Sequence, residues 1–332
     1  MADTPHIPHA PHAPHASHHQ DDQGGPDDLR SLPGLATEGR RSGGAGIDLL
    51  STVELARAMN AEDRTVPEAV GAVVPEVAVA VEAIVERMRR GGRLVYAGAG
   101  TAGRLGVLDA SECPPTFGTE PGLVVGLLAG GPAALTAAVE DAEDDRAAAV
   151  ADLDALGLTA ADTVVGVSAS GRTPYALAAV EHARRLGALT VALAGNRGSA
   201  LGDAAEHRIE VVTGPELLAG STRLKAGTAQ KLVLNMVSTL VMVRLGRTYG
   251  DLMVDLRATN EKLRVRARRI VALAAEAEPA DADAALTATG GRVKDAVLLL
   301  LTGVDAPAAA ALLARNGGRL RDALHDALRD AL

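Results

Sequence analysis

The sequence predicts an α/β fold of three αβα layers around a five-stranded parallel sheet, with N-terminal helices before it and a small C-terminal helical bundle after it. Two observations point to the sheet. The apolar runs Leu94–Ala97, Leu123–Leu128, Thr163–Val167, Leu189–Ala194 and Ile209–Val212 are short, nearly continuous and rich in β-branched residues, as strands buried on both faces are. Helical stretches such as Pro132–Ala151 and Pro174–Leu186 lie between them, and this alternation makes a parallel sheet with helices on both faces. A third observation points to the bundle. Gly290-Gly-Arg-Val-Lys-Asp-Ala-Val297 returns as Gly317-Gly-Arg-Leu-Arg-Asp-Ala-Leu324, 27 residues further on. Each copy follows an Ala/Leu-rich run, so the unit reads as helix, Gly-Gly turn, helix, and about three helices are expected in 279–332. A bundle this small is expected to serve packing or assembly.

Residues 1–46 are expected to form a tail outside the fold. His6, His9, His12, His15, His18 and His19 alternate with Pro and Ala. Such a segment buries too little apolar surface to offset its ordering entropy. Metal binding is the sharper reading of these histidines, and a neutral solvated tail the plainer one. Residues 47–278 hold the main domain. Ser51 or Thr52 caps a helix through about Asn60, and a second begins near Thr65 with Pro67 in its first turn. Pro75 opens a long third helix on which Val77, Val81, Ile84, Val85 and Met88 share a face, and Gly91-Gly92 ends it. After the last strand, 220–245 runs into an apolar helix. Gly250–Arg269 is expected to continue as helix with basic residues on one side, up to the boundary at Pro279.

Apolar residues make up 47% of the chain and aromatics 1%, so the core must be built from Ala, Val and Leu. The net charge of −9 argues against nucleic acid as the main partner, and so few aromatics argue against base stacking. A small anion remains open, because N–H groups and a cation or two bind phosphate inside an acidic protein. Cys113 stands alone, so neither a disulfide framework nor a cysteine zinc site is expected. No apolar run has the length of a membrane span, and no signal-peptide pattern opens the chain. These readings favour a cytoplasmic protein with no membrane partner.

Gly98-Ala-Gly-Thr-Ala-Gly103 follows the first strand and fits G-x-G-x-x-G. A dinucleotide site also needs an acid at the end of the second strand, to hold the ribose, and Ala129-Gly130-Gly131 stands there instead. What survives is a phosphate cradle made of N–H groups and hydroxyls, with Gly100 and Thr101 at its centre. The helix that follows is expected to be short and to stop at Pro114 and Pro115. Ser168-Ala-Ser-Gly-Arg-Thr-Pro-Tyr175 stands at another strand end and opens a helix at Pro174. Ser168, Ser170 and Thr173 bring three hydroxyls there, Gly171 frees the backbone, and the helix start adds unpaired N–H groups. That combination favours phosphate over ordinary capping. The candidate carboxylates are Glu112, beyond the first loop, and Glu143, on the expected helix after the second strand. The residues alone do not select Glu143 over Glu140, Asp141 or Asp144.

The blocks 97–118, 169–175, 220–231 and 260–263, above all Ser-Glu-Cys-Pro-Pro (111–115) and Lys-Ala-Gly-Thr-Ala-Gln-Lys (225–231), add a resemblance. From about Thr37 to its end the chain resembles the N-acetylmuramic acid 6-phosphate etherases, relatives of the glucokinase regulatory protein within the sugar isomerase (SIS) fold. The resemblance implies hydrolytic cleavage of the D-lactyl ether at C3 of the amino sugar. The products would be N-acetylglucosamine 6-phosphate and D-lactate, in recycling of the bacterial cell wall. It implies no metal, no organic cofactor and a homodimer. It matches the family's catalytic acid to Glu112 and its second carboxylate to Glu143, and likens the C-terminal bundle to a ubiquitin-associated-type domain. One departure is Ala102, where the family commonly has Ser, so one hydroxyl near the sugar phosphate is lost.

The implied chemistry suits these residues. Ring opening exposes an aldehyde at C1, which acidifies the C2 proton. Loss of that proton expels lactate from C3, and water then adds back. Two placed carboxylates serve as acid and base. In this scheme Glu112 protonates the lactyl oxygen and later activates water, and Glu143 handles the C2 proton. Ser168, Ser170, Thr173 and the first loop hold the phosphate, and Ser221 and Lys225 are candidates for the phosphate or the lactyl carboxylate. Two rivals remain: a sugar-phosphate-sensing regulator that binds without turnover, and an aldose–ketose isomerase that makes a ketose and no lactate.

Overall fold

The computed structural model describes residues 35–330, apart from 43, 45, 257 and 259. The six histidines of the expected tail lie outside the described residues. The tail expected over 1–46 is shorter than that, because Ala36 and Thr37 are docked on the sheet domain. Thr37 is 1% exposed, and Asn196 reaches across from the far side of the sequence to hold it.

Five strands, β1 (Leu94–Gly98), β2 (Val124–Leu128), β3 (Thr163–Ser168), β4 (Leu189–Ala194) and β5 (His207–Glu210), form one parallel sheet in the order β2-β1-β3-β4-β5. Only β5 departs from the expected bounds by more than a residue at its start. It is an edge strand bonded to β4 alone, so its sequence alternates instead of running continuously apolar. Before the sheet come α1 (Thr52–Asp63), α2 (Val66–Gly71) and α3 (Val74–Arg89). Of the two expected caps it is Ser51 that caps α1, in a capping box with Glu54.

Two cores flank the sheet. On one face Leu94, Tyr96, Val165 and Val191 meet Val77, Val81 and Ile84 of α3 and Val233, Leu234 and Val237 of α8 (Lys225–Arg244). On the other, Val95, Ala97 and Val164 meet Ala149 and Leu153 of α5 (Arg146–Ala155) and Tyr175 and Ala179 of α6 (Pro174–Arg185). The three layers follow from strands that are apolar on both faces. By length and composition α8 could cross a membrane, but 56% of its apolar window is buried inside the fold, as in a core helix.

Three helix expectations need correction. The helix after β1 does not stop at the prolines. α4 runs Gly100–Phe117 and ends at Gly118, whose φ is +60°. A proline ring already has a helical φ, and the bonds Pro114 and Pro115 cannot make lie in the last turns. There the Cys113 thiol donates to the Asp109 carbonyl and the Gly118 N–H to the Pro114 carbonyl, at 3.4 and 2.9 Å. The helix expected over 132–151 is broken. Gly131–Leu135 and Ala142–Asp144 are short 3-10 turns, Asp141 has φ +57°, and α5 starts only after the Asp145 carboxylate accepts the Ala148 N–H. Much of the acidic run is therefore loop and cap, not helix face. From Gly250 to Leu256 the chain is irregular, with Val254 and Leu256 buried, and Asn260 caps α9 (Glu261–Ala275).

Both repeats fold as helix, Gly-Gly turn, helix: α10 (Pro279–Ala288) with α11 (Val293–Thr302), and α12 (Ala306–Arg315) with α13 (Leu320–Asp330). That is four helices rather than three, because the run before each Gly-Gly pair is a full helix. Their shared core also takes in Val254, Leu256 and Ala267, Ile270 and Val271 of α9.

Candidate active site

The strand order reverses between β1 and β3, and a cavity of about 430 Å³ opens beyond their carboxyl ends. Each wall has a local cause. The first is the turn from β1 into α4, with Ala99, Gly100, Thr101 and Ala102. A Cβ at Gly103 would stand 2.3 Å from the Gly98 carbonyl, and one at Gly98 2.9 Å from the Val167 carbonyl. The glycine pattern thus reports close backbone packing between strand and helix, as expected once the ribose acid was missing.

The second wall is the loop from β3 into α6. Ser168 Oγ lies 2.8 Å from Thr173 Oγ1 and 3.3 Å from Ser170 Oγ, and it accepts the Gly171 N–H at 2.9 Å. Ser170 Oγ accepts the Arg172 N–H at 3.1 Å. Three hydroxyls are thus held in one cluster ahead of α6, whose first-turn N–H groups have no acceptor inside the helix. Ser168, Ser170 and Thr173 line the cavity, and Gly171 shapes the loop behind them with φ +73°.

The third wall comes from the break after β2, which delivers Glu143 and Asp144 to the cavity. Thr222, Gln230 and Glu38 complete the lining. Glu38 is placed by Asn196, whose Oδ1 accepts the Ala36 N–H at 2.8 Å. The Asn196 Nδ2 donates to Thr37 Oγ1 and to the carbonyls of Ala169 and Ser170 at 3.0–3.2 Å. One buried side chain therefore locks the N-terminal strap to the serine loop.

The expected site residues divide. Gly100, Thr101, Ser168, Ser170, Thr173 and Glu143 share the cavity wall. Glu112, Ser221 and Lys225 do not line it. Lys225 is engaged elsewhere: its Nζ pairs with Glu62 at 2.7 Å, and Glu62 also binds Arg41 at 2.8 Å. The hydrogen bond from Lys225 holds the Glu62 carboxyl below its usual range. Backbone N–H groups of Lys225 and Ala226 both donate to the buried Glu216 carboxylate at 2.9 Å, so the α8 start already has its anion.

Glu112 is exposed on α4, twelve residues past Gly100 and thus about 18 Å along the helix. Asp109 fixes the pose of α4: it accepts from Tyr96 Oη, Asn235 Nδ2 and Ser238 Oγ at 2.7–3.0 Å. Cys113 beside Glu112 is buried, which pushes its thiol up to about 12, so it is no nucleophile at neutral pH. Asp144, left open as an alternative to Glu143, lines the cavity beside it, and so does Arg172 of the serine motif. Sequence reasoning missed Glu38, Thr222 and Gln230 as lining residues. Gln230 stands inside the quoted Lys-Ala-Gly-Thr-Ala-Gln-Lys block, which was its signal. Glu38 was hidden in the presumed tail.

A sugar isomerase-type domain is the class this topology and cavity define. Residues 135–240 match the SIS domain family, and residues 76–184 match the glucokinase regulatory protein N-terminal SIS domain. A phosphoheptose isomerase structure from Francisella tularensis aligns with a TM-score of 0.44 at 21% identity, over 58% of this chain and 100% of that one. Sequence relatives narrow the class. The chain is 68% identical over 302 residues to an N-acetylmuramic acid 6-phosphate etherase of Streptomyces coelicolor, covering 91% of this chain and 97% of that protein. It is 55% identical to the protein of the same name in Serratia proteamaculans, over 89% of this chain and 99% of that one. The chain belongs to the N-acetylmuramic acid 6-phosphate etherase family.

Proposed function

We propose that the protein cleaves the D-lactyl ether of N-acetylmuramic acid 6-phosphate, releasing D-lactate and N-acetylglucosamine 6-phosphate, as a carbon–oxygen lyase of cytoplasmic peptidoglycan recycling. One observation supports it above the rest: in a chain of this family, a hydroxyl cluster fit for a phosphate and the carboxylate of Glu143 face one cavity. Ser168, Ser170, Thr173, Thr101 and the N–H groups of the two loops seat the phosphate. The sugar then extends toward Glu143. With C1 open as an aldehyde, Glu143 takes the C2 proton, the C3–oxygen bond breaks, and lactate leaves with that oxygen. Water adds its hydroxyl to C3 and a proton returns to C2.

Glu112 is too far along α4 to serve the cavity of its own subunit. It serves the partner's cavity in a homodimer, as the acid at the lactyl oxygen. The surface supports a dimer. None of the α1 residues is buried, and Val53, Leu55 and Met59 are exposed on it. Leu108 on α4, one turn before Glu112, is 50% exposed. Lys225 and Ser221 shape the loop before α8 from outside the cavity.

The test is D-lactate release from N-acetylmuramic acid 6-phosphate by the wild-type protein and by Glu143→Gln. Release by the wild type and a loss of kcat of about 10²-fold or more in the variant are expected. Binding without release would assign a sensor, and a ketose product would assign an isomerase.

A further inference from the structure

One buried donor on a residue of the cavity wall is left without a partner by the described residues. Gln230, on the second turn of α8, is 4% exposed and lines the cavity, yet its Nε2 has no hydrogen-bond partner among the described residues. A buried amide left unmade is costly, so it marks a place where a ligand supplies the acceptor. Glu38 lines the same cavity. Its carboxylate has no hydrogen-bond or ion-pair partner among the described residues, and it packs against Gly220. The Asn196 lock described above holds Glu38 in place. Beside the carboxylates of Glu143 and Asp144, the cavity wall therefore carries an unpaired donor on a buried residue and an unpaired acceptor on an anchored one.

A secondary amide is the group that needs one of each. We propose that Gln230 and Glu38 form the subsite for the acetamido group at C2 of the sugar. The Gln230 Nε2–H donates to the acetamido carbonyl, and the Glu38 carboxylate accepts the acetamido N–H. This rests on the sugar-phosphate reading of the cavity. The other acceptors of such a substrate fit Gln230 less well. The phosphate has the hydroxyl cluster of the 168–174 loop. The lactyl carboxylate would be repelled by Glu38, Glu143 and Asp144, which line the same small space. The subsite gives the pocket a reason to prefer a 2-acetamido sugar over a 2-hydroxy sugar, because a hydroxyl at C2 leaves the buried amide unpaired.

Calorimetric titration of the full chain with N-acetylglucosamine 6-phosphate and with glucose 6-phosphate tests this, in the wild type, Gln230→Met and Glu38→Ala. The wild type is expected to prefer the acetamido sugar. Each substitution is expected to cut that preference about tenfold, the size of one buried charge-free or charge-assisted hydrogen bond. A wild type without preference overturns the proposal. So does a variant preference within about twofold of the wild type, or an equal loss for both sugars, either of which makes the residue a packing element. The etherase reading fails separately, if the wild type binds with the expected preference and releases no lactate.

Discussion

Ser168 does most to build the proposed phosphate seat. It is 1% exposed, and its hydroxyl holds Thr173, Ser170 and the Gly171 N–H in one cluster. Replacing it by Ala removes one donor to the phosphate and leaves the Gly171 N–H without its acceptor. Ser168→Ala is expected to raise KM about tenfold and to cost about 1 kcal/mol of stability. Steady-state kinetics and urea unfolding read the two effects, and an unchanged KM would take the phosphate off this loop.

Among the elements, the loop after β2 and the start of β1 decide the geometry. The break at Asp141 turns what reads as a helix into the arm that presents Glu143. The site is held square by a clamp at the opposite end of the sheet. Asp162, just before β3, accepts from Arg93 Nε, Nη2 and backbone N–H at 2.8–3.0 Å, and from the Thr159 N–H at 2.8 Å. Arg93 also donates to the carbonyls of Leu156 and Gly157 at the end of α5. Burial alone would raise the Asp162 carboxyl, but the hydrogen bonds from Arg93 and Thr159 outweigh it and hold it below the usual carboxylate range. A carboxyl lowered on folding stabilises fully above its unfolded value, near pH 4, and loses that contribution as pH falls through the folded value. Asp162→Ala is expected to cost about 3 kcal/mol at pH 7, by stranding Arg93 and two backbone donors. The gap to wild type in urea midpoint should shrink below about pH 4. An equal gap at both pH values would remove the clamp from the stability of the fold.

For the whole molecule, the separation of Glu112 from the cavity makes assembly part of the proposed chemistry. If each site takes Glu143 from one subunit and Glu112 from its partner, Glu112→Gln and Glu143→Gln homodimers are both inactive. Subunit exchange between them makes heterodimers with one intact site and one doubly altered. A 1:1 mixture should regain about a quarter of wild-type activity, by counting half heterodimers with half their sites alive. No recovery after demonstrated exchange would place Glu112 in its own subunit's site or outside the reaction.

Much of this was legible in the chain. Four strand runs and the capped N-terminal helices were plain because both follow from local chemistry: β-branched runs, a capping box and first-turn prolines. The hydroxyl cluster was legible because its members are neighbours in sequence. Glu38 and Gln230 were not, because one lies 130 residues before the serine loop and the other is defined by what its amide fails to touch. The run through Pro114 and Pro115 was missed because a proline's effect depends on how many turns of helix remain after it.

The reaction itself is tested most directly by running it in D₂O. With N-acetylmuramic acid 6-phosphate as substrate, elimination and water addition predict D-lactate without incorporated deuterium at carbon and N-acetylglucosamine 6-phosphate with one deuterium at C2, read by mass spectrometry and proton NMR. Lactate release with no deuterium at C2 would contradict the elimination, and deuterium exchange without lactate would contradict the etherase assignment.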